Sequence, residues 1–238
     1  MAKQTYTSDY PILSVAVDVV GLTIADDRLQ VLTIERHLAP HGTALPGGFV
    51  GIDENLEQAA YRELEEETAV DPGEVPLEQL KTYGDPGRDP RTRVISVAYL
   101  MVLPEPLPLA AGTDAEEAHW QPVDELDGPL VFDHARIVAD GVERLKSKLE
   151  YTALATAFLP DEFTLGDLRR VYETVWQGEL EPGNFQRKLR AGEDFVEALD
   201  RTVSPSGGRG RPATLFRSLK GPFESLDSPL TRRSLRSS

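Results

Sequence analysis

The 238-residue chain contains no cysteine. Disulfides and thiolate metal sites are therefore excluded, and the composition fits a reducing cytosol. It has only two methionines and two tryptophans. No apolar run reaches the ~20 residues of a membrane-spanning helix. Met1 to Tyr10 is polar and lacks the apolar core of a signal peptide, so the expected location is the cytoplasm and no membrane partner is expected. Basic residues are scarce over the first part of the chain. Residues 1–150 have a net charge of −16, residues 151–238 of +1, and the stretch from Arg201 onward of +6. The overall charge of −15 thus hides an acidic first part joined to a module suited to a polyanion.

What is present sorts into two patterns. In the first, Leu13, Val15, Val17 and Val19 alternate as on one strand face, and Leu29 to Arg36 reads as the returning strand after Asp26-Asp27. Arg93 to Leu103 alternates again through Ile95, Val97, Tyr99 and Met101. A short strand is expected over Glu117–Val123. A helix is expected from His134 toward Leu149, with Asp133 as its N-cap. Leu56, Ala60 and Leu64 give the acidic stretch between them an apolar stripe, which predicts a helix docked on the sheet.

That acidic stretch runs Gly48-Phe-Val-Gly-Ile-Asp-Glu54 and on through Arg62-Glu63-Leu64-Glu65-Glu66-Glu67-Thr68-Ala69-Val70. Glu63 and Glu67 share a helical face, and Glu66 lies at i+3 from Glu63. Three clustered carboxylates repel one another, and a divalent cation would remove the conflict. Mg²⁺ takes hard oxygen ligands and leaves room for water and phosphate. A solvated acidic helix face is the bland alternative.

The same residues resemble the Nudix box, G-x5-E-x7-R-E-U-x-E-E-x-G-U, where U is a bulky apolar residue. Gly48, Glu54, Arg62, Glu63, Leu64, Glu66, Glu67 and Val70 match, and Ala69 replaces the last glycine. The resemblance implies a Nudix α/β/α sandwich with a mixed sheet. It also implies Glu63, Glu66 and Glu67 as metal ligands and Glu66 with Glu117 as catalytic carboxylates. Glu54 and Arg62 would be a pair that locks the loop onto the helix. Gly84-Asp-Pro-Gly-Arg88-Asp89-Pro-Arg91 resembles a stretch of ADP-ribose-type Nudix proteins. Arg88 and Arg91, with Arg36, Gly48 and Phe49, are accordingly expected at the ligand. His134 reads as a satisfied histidine beside a helix cap.

In the second pattern, Thr164 and Asp167 form a capping-box variant ahead of the stripe Leu165, Leu168, Val171, Val175. A turn at Leu180–Gly183 leads to a second helix, capped by Asn184 and running through Ala191. Phe185 and Leu189 face inward on it. Two strands follow, around Phe195–Leu199 and Leu215–Phe216, joined by the basic tip Gly207-Gly-Arg-Gly-Arg-Pro212. This order is that of a winged helix-turn-helix. Asn184, Arg187, Lys188 and Arg190 are its candidate DNA contacts, with Arg209 and Arg211 in the wing. The expected division is residues 1–150, 151–221 and a basic, disordered tail at 222–238.

Taken together, the residues resemble the Nudix-related transcriptional regulators of NAD metabolism. This resemblance implies a homodimeric repressor on a palindromic double-stranded DNA operator, with ADP-ribose or a related diphosphate as effector, Mg²⁺ as a cofactor and weak ADP-ribose hydrolysis. The alternatives are a plain ADP-ribose pyrophosphatase and a sugar-catabolism repressor of the same architecture.

Overall fold

The computed structural model describes residues 8–68, 75–109, 115–126, 129–192, 195–204 and 212–231. Strand β1 (Ser14–Ala25) turns into β2 (Arg28–Arg36) through Asp26 and Asp27, both left-handed, with φ of 52° and 57°. A two-residue hairpin loop needs that geometry, and aspartate tolerates it. The short strands β3 (Gly42–Ala44) and β4 (Gly47–Phe49) follow. Helix α1 (Leu56–Thr68), β5 (Glu78–Tyr83), β6 (Val94–Val102) and β7 (Ala115–Pro122) come next. They form one seven-stranded mixed sheet, in which β1 is parallel to β6 and the other pairings are antiparallel.

Alternation along β1 divides its side chains between the two faces of the sheet. Val17 and Val19 pack with Ala59, Ala60 and Leu64 of α1. Val20 and Leu22 pack with Ile137, Val138 and Leu145 of α2 (His134–Tyr151) on the opposite face. The fold is thus the expected Nudix α/β/α sandwich. Gly141 lets α2 lie close to the sheet, since a Cβ there would stand 2.9 Å from Val20 Cγ1.

Beyond α2 lie β8 (Phe163–Thr164), α3 (Leu165–Trp176), α4 (Pro182–Ala191), β9 (Val196–Val203) and β10 (Ala213–Ser218). The second sheet runs β8-β10-β9, so two helices are followed by a winged hairpin. The capping box at Thr164 and Asp167 is present with both reciprocal bonds. The cap of α4 differs from expectation. Glu181, not Asn184, accepts the backbone N–H groups of Gly183 and Asn184, at 2.9 and 2.6 Å. Pro182 occupies the first helical position, where its missing N–H costs nothing, so the helix starts three residues earlier than an Asn184 cap would place it.

The two units share one hydrophobic core. Leu145 and Leu149 of α2 belong to the same buried cluster as Val171, Val175 and Trp176 of α3. Trp176 Nε1 donates to the Lys146 carbonyl at 3.1 Å. The expectation of a disordered tail is corrected over residues 222–231. Leu226 and Leu230 are buried, and their N–H groups donate to the carbonyls of Tyr151 and Glu150, each at 2.8 Å. The two leucines bury apolar surface against the domain junction, which the charge-rich composition of the tail concealed. Residues 232–238 lie outside the described residues.

Gly141→Val is expected to destabilise the chain by about 1–3 kcal/mol through overpacking against Val20. It does so although it removes a helix glycine, a change that alone favours the helix. Urea denaturation of both proteins checks this, and an unchanged midpoint would mean that α2 is free to move off the sheet.

Candidate functional site

Arg62 organises the Nudix-box residues. Its Nε and Nη2 donate to the two Glu54 oxygens at 2.9 and 2.6 Å. Nη2 also reaches the Phe49 carbonyl at 3.1 Å, and Nη1 reaches Glu63 Oε1 at 2.7 Å and Glu66 Oε2 at 2.9 Å. The Arg62 bonds and the Gly51 N–H hold the Glu54 carboxyl down, at about 2. The fork therefore fastens the glycine loop to α1.

The Glu63 carboxylate lies against Gly48, where a Cβ would stand 2.3 Å from Oε1, so any larger residue there would have to displace the Glu63 carboxylate. Glu67 is buried and accepts the Gly47 N–H at 2.8 Å. Burial, with neighbouring Glu63, pushes its carboxyl up to about 8, and burial also raises that of Glu63.

Both carboxylates line a cavity of about 250 Å³ whose wall includes Arg36, Phe49, Arg91, Phe132 and His134. Glu66 does not reach it; its carboxylate is exposed and turned to Arg62. Among the described residues, no three His, Asp or Glu side chains converge as a metal-binding group. The donor chemistry of Glu63 and Glu67 nevertheless fits a divalent cation. A buried and a half-buried carboxylate that repel each other are what such an ion would relieve.

Arg36 and Arg91 approach the cavity from different elements. The guanidinium of Arg91 is held in a fork by Asp89, at 3.0 and 2.7 Å, and its carbon lies 5.1 Å from the Phe132 ring centroid and 5.6 Å from that of Phe49. Arg36, at the end of β2, lies 5.1 Å from the same Phe132 centroid. Burial and the nearby charge of Arg91 lower its pKa.

Arg88 also borders the cavity, but its guanidinium is engaged elsewhere. It donates to Asp133 Oδ1 at 2.6 Å and Oδ2 at 3.0 Å, and to Asp18 at 3.3 Å, with its side chain only 5% exposed. The same fork explains why Asp133 makes no side-chain capping bond to α2. Asp18 accepts in addition from Ser96. Burial would raise the Asp18 carboxyl, but His134, Ser96 and Arg88 together hold it below its usual range. His134 Nδ1 accepts the Leu45 N–H at 2.9 Å, which leaves Nε2–H facing Asp18 Oδ1 at 3.3 Å.

Asp18 and Phe132 were not singled out from the sequence. Asp18 did leave a signal, since a carboxylate between Val17 and Val19 in a buried strand must find partners. Ala69, Val70, Arg209 and Arg211 lie outside the described residues, as does the Glu117 side chain.

On α4, Phe185 and Leu189 are buried and Arg187 and Arg190 are exposed. Arg187 Nη2 donates to Asn184 Oδ1 at 2.5 Å. Lys188 is half-buried on the flank. The aromatic rings of Tyr172 and Phe185 pack edge-on, 5.5 Å apart, and set α4 against α3.

Residues 13–141 match the model of the NUDIX domain, and residues 155–218 match that of the NrtR DNA-binding winged helix domain. The chain belongs to the NUDIX family and carries an NrtR-type winged helix. It is 34% identical over 219 residues to the ADPR responsive transcriptional repressor NtrR of Acinetobacter baylyi, covering 90% of this chain and 85% of that protein. It is also similar to the Shewanella oneidensis NrtR crystallised with a 27mer DNA, with a TM-score of 0.73 and 28% identity, covering 91% of this chain and 99% of that one. The NUDIX domain of the same Shewanella protein, crystallised with ADP ribose, matches at a TM-score of 0.53 and 34% identity, over 57% of this chain and 90% of its own. Within this NUDIX and winged-helix frame, no helix among the described residues is long and apolar enough to cross a membrane.

The raised Glu67 carboxyl has a measurable consequence. In the unfolded chain the group titrates near 4.5 and in the folded protein near 8, so the native state binds more protons in between. Its contribution to stability is therefore complete below about pH 4.5 and is lost as pH rises through 8. In EDTA, thermal stability should fall over that range more steeply in wild type than in Glu67→Gln, which keeps an acceptor for Gly47. Parallel pH profiles would contradict the burial of this carboxylate.

Proposed function

We propose that the chain is a transcriptional repressor of NAD-metabolism genes, and that ADP-ribose or a related diphosphate relieves its binding to operator DNA. One observation carries the reading. The chain pairs a cavity whose lining includes Arg36, Arg91, Glu63 and Glu67 with a winged helix that exposes Arg187 and Arg190. Guanidinium groups suit phosphate oxygens. A neutral sugar has no use for such charges, which weighs against a sugar effector. The ADP ribose in the related Shewanella NUDIX domain and the 27mer DNA on the Shewanella NrtR support the same assignment.

The chain acts as a homodimer on a palindromic site in this reading, its two recognition helices about one helical turn of DNA apart. Arg187 and Arg190 would enter the groove, and Asn184 would steady Arg187. Affinity for DNA upstream of its own operon should fall with rising salt, as phosphate contacts require. ADP-ribose should weaken that binding roughly 5- to 150-fold, and the DNA should weaken ADP-ribose binding by the same factor. Fluorescence anisotropy and calorimetry on the full chain measure the two sides of this cycle. Arg187→Ala with Arg190→Ala should lose the DNA and keep the ligand. Equal ADP-ribose affinities with and without DNA would sink the proposal.

A second, weaker activity is favoured by the intact lattice of Arg62, Glu54 and Glu63 beside the cavity. Glu63 and Glu67 would hold Mg²⁺, which supplies phosphoryl polarisation and an activated water. Arg36 and Arg91 would orient the diphosphate, and Arg62 would keep the glycine loop in place. Water attack on one phosphorus gives AMP and ribose 5-phosphate, and so destroys the effector. We expect slow Mg²⁺-dependent release of AMP that Glu67→Gln abolishes without unfolding. AMP no higher in wild type than in the variant over a long incubation would leave a sensor without turnover.

A further inference from the structure

Phe132 stands where the cavity meets α2. Its φ is 57°, in the left-handed region that a residue with a bulky side chain enters only at a cost. Its ring is shared by two cations, with the guanidinium carbons of Arg36 and Arg91 each 5.1 Å from the centroid. The imidazole of His134 lies 5.2 Å away on the other side of the chain bend. The two residues that follow fasten the start of α2, Asp133 through the Arg88 fork and His134 through Leu45 and Asp18.

Helix α2 then runs 18 residues, about 27 Å at the usual rise, to the winged helix. Along its length Arg144 is bonded to Glu78 and to the Leu80 carbonyl. At its far end the Lys146 carbonyl receives Trp176 Nε1, and Leu145 and Leu149 share a core with Val175 and Trp176. The start of α2 and the DNA-binding helices are thus joined by one bonded rod.

We propose that Phe132 is a positioning residue that reports occupancy of the cavity to α2 and so to the winged helix. The inference rests on the reading that a diphosphate such as ADP-ribose is the effector. The physical basis is competition for the same cations. With the cavity empty, the Phe132 π face is a shared partner for two guanidiniums that otherwise repel each other. A diphosphate offers both of them charged oxygens, a stronger partner than a ring. Once they turn to it, the contacts that offset the left-handed bend are gone, and the bend before α2 relaxes. The coupling is then a differential interaction between two states, as linkage requires.

The test uses the full chain, the DNA fragment upstream of its own operon, and ADP-ribose. Operator affinity is measured by anisotropy with and without saturating ADP-ribose, and ADP-ribose binding by calorimetry. Wild type should show the roughly 5- to 150-fold loss of operator affinity typical of such coupling. Phe132→Gly accepts the left-handed backbone and lacks the ring. It should bind the operator like wild type in the absence of ligand, and at an ADP-ribose concentration that saturates it by calorimetry it should show a ratio close to one. Phe132→Leu keeps the bulk without the π face and should also fall clearly below wild type, which decides the matter if the glycine variant does not fold. A wild-type ratio in either folded variant overturns the proposal. Loss of ADP-ribose binding would also overturn it, because Phe132 would then be a ligand contact. If ADP-ribose leaves wild-type operator affinity unchanged, the effector reading itself fails, an outcome separate from the behaviour of the variants.

Discussion

The buried guanidinium of Arg88 is the constraint on which the effector end of the molecule depends. It lies between two carboxylates on different elements, Asp18 on β1 and Asp133 at the head of α2. Removing one partner of a buried ion pair typically costs about 3–5 kcal/mol, because it strands the remaining charge. Around this ion the chain brings together the loop before β6, the first strand, Ser96 on β6 and, through His134, the residue that precedes Pro46-Gly47-Gly48. The cavity floor and the start of α2 are thus set by one polar cluster. Arg62 plays the corresponding part on the other side, tying the glycine loop to α1.

These two clusters leave Arg36 and Arg91 as the cationic wall that faces the cavity. The division of labour is electrostatic. Arg88 is matched by two carboxylates, Arg91 by one, and Arg36 donates its Nε to the Pro40 carbonyl at 3.2 Å. The least compensated charges therefore lie where a phosphorylated ligand would enter. Glu63 and Glu67 place the opposite charge within the same walls, and a bridging cation would reconcile the two.

Much of this was legible in the chain, and the rest has identifiable reasons. The Nudix-box spacing is readable because all the side-chain partners of Arg62, Glu54, Glu63 and Glu66, lie within eight residues of it in the chain. The alternation of β1 and β6 and the capping box at Thr164 are local signals as well. The strands β3, β4 and β5 gave no such signal, since they are short and owe their form to the strands beside them. Arg88 was expected at the ligand because a loop arginine before a strand suits phosphate. Its engagement with Asp133, 45 residues away, is a tertiary fact that no window of sequence contains. Residue type points to Asn184 as the α4 cap, but Pro182 marks the start of the helix. Nothing local in the sequence announces the left-handed backbone of Phe132.

The return of the chain to the domain junction bears on its order of assembly. Glu150 and Tyr151 lend their carbonyls to Leu230 and Leu226, about eighty residues downstream. A domain generally folds as soon as it has been synthesised, the N-terminal one first. The Nudix body can thus close while the winged helix is still being made, but the seam between them lacks the contacts of Leu226 and Leu230 until residues 226–230 have emerged. A nascent chain stalled before that point would carry a finished ligand pocket and a DNA-binding head not yet fully secured to it. Competence to sense would precede competence to respond.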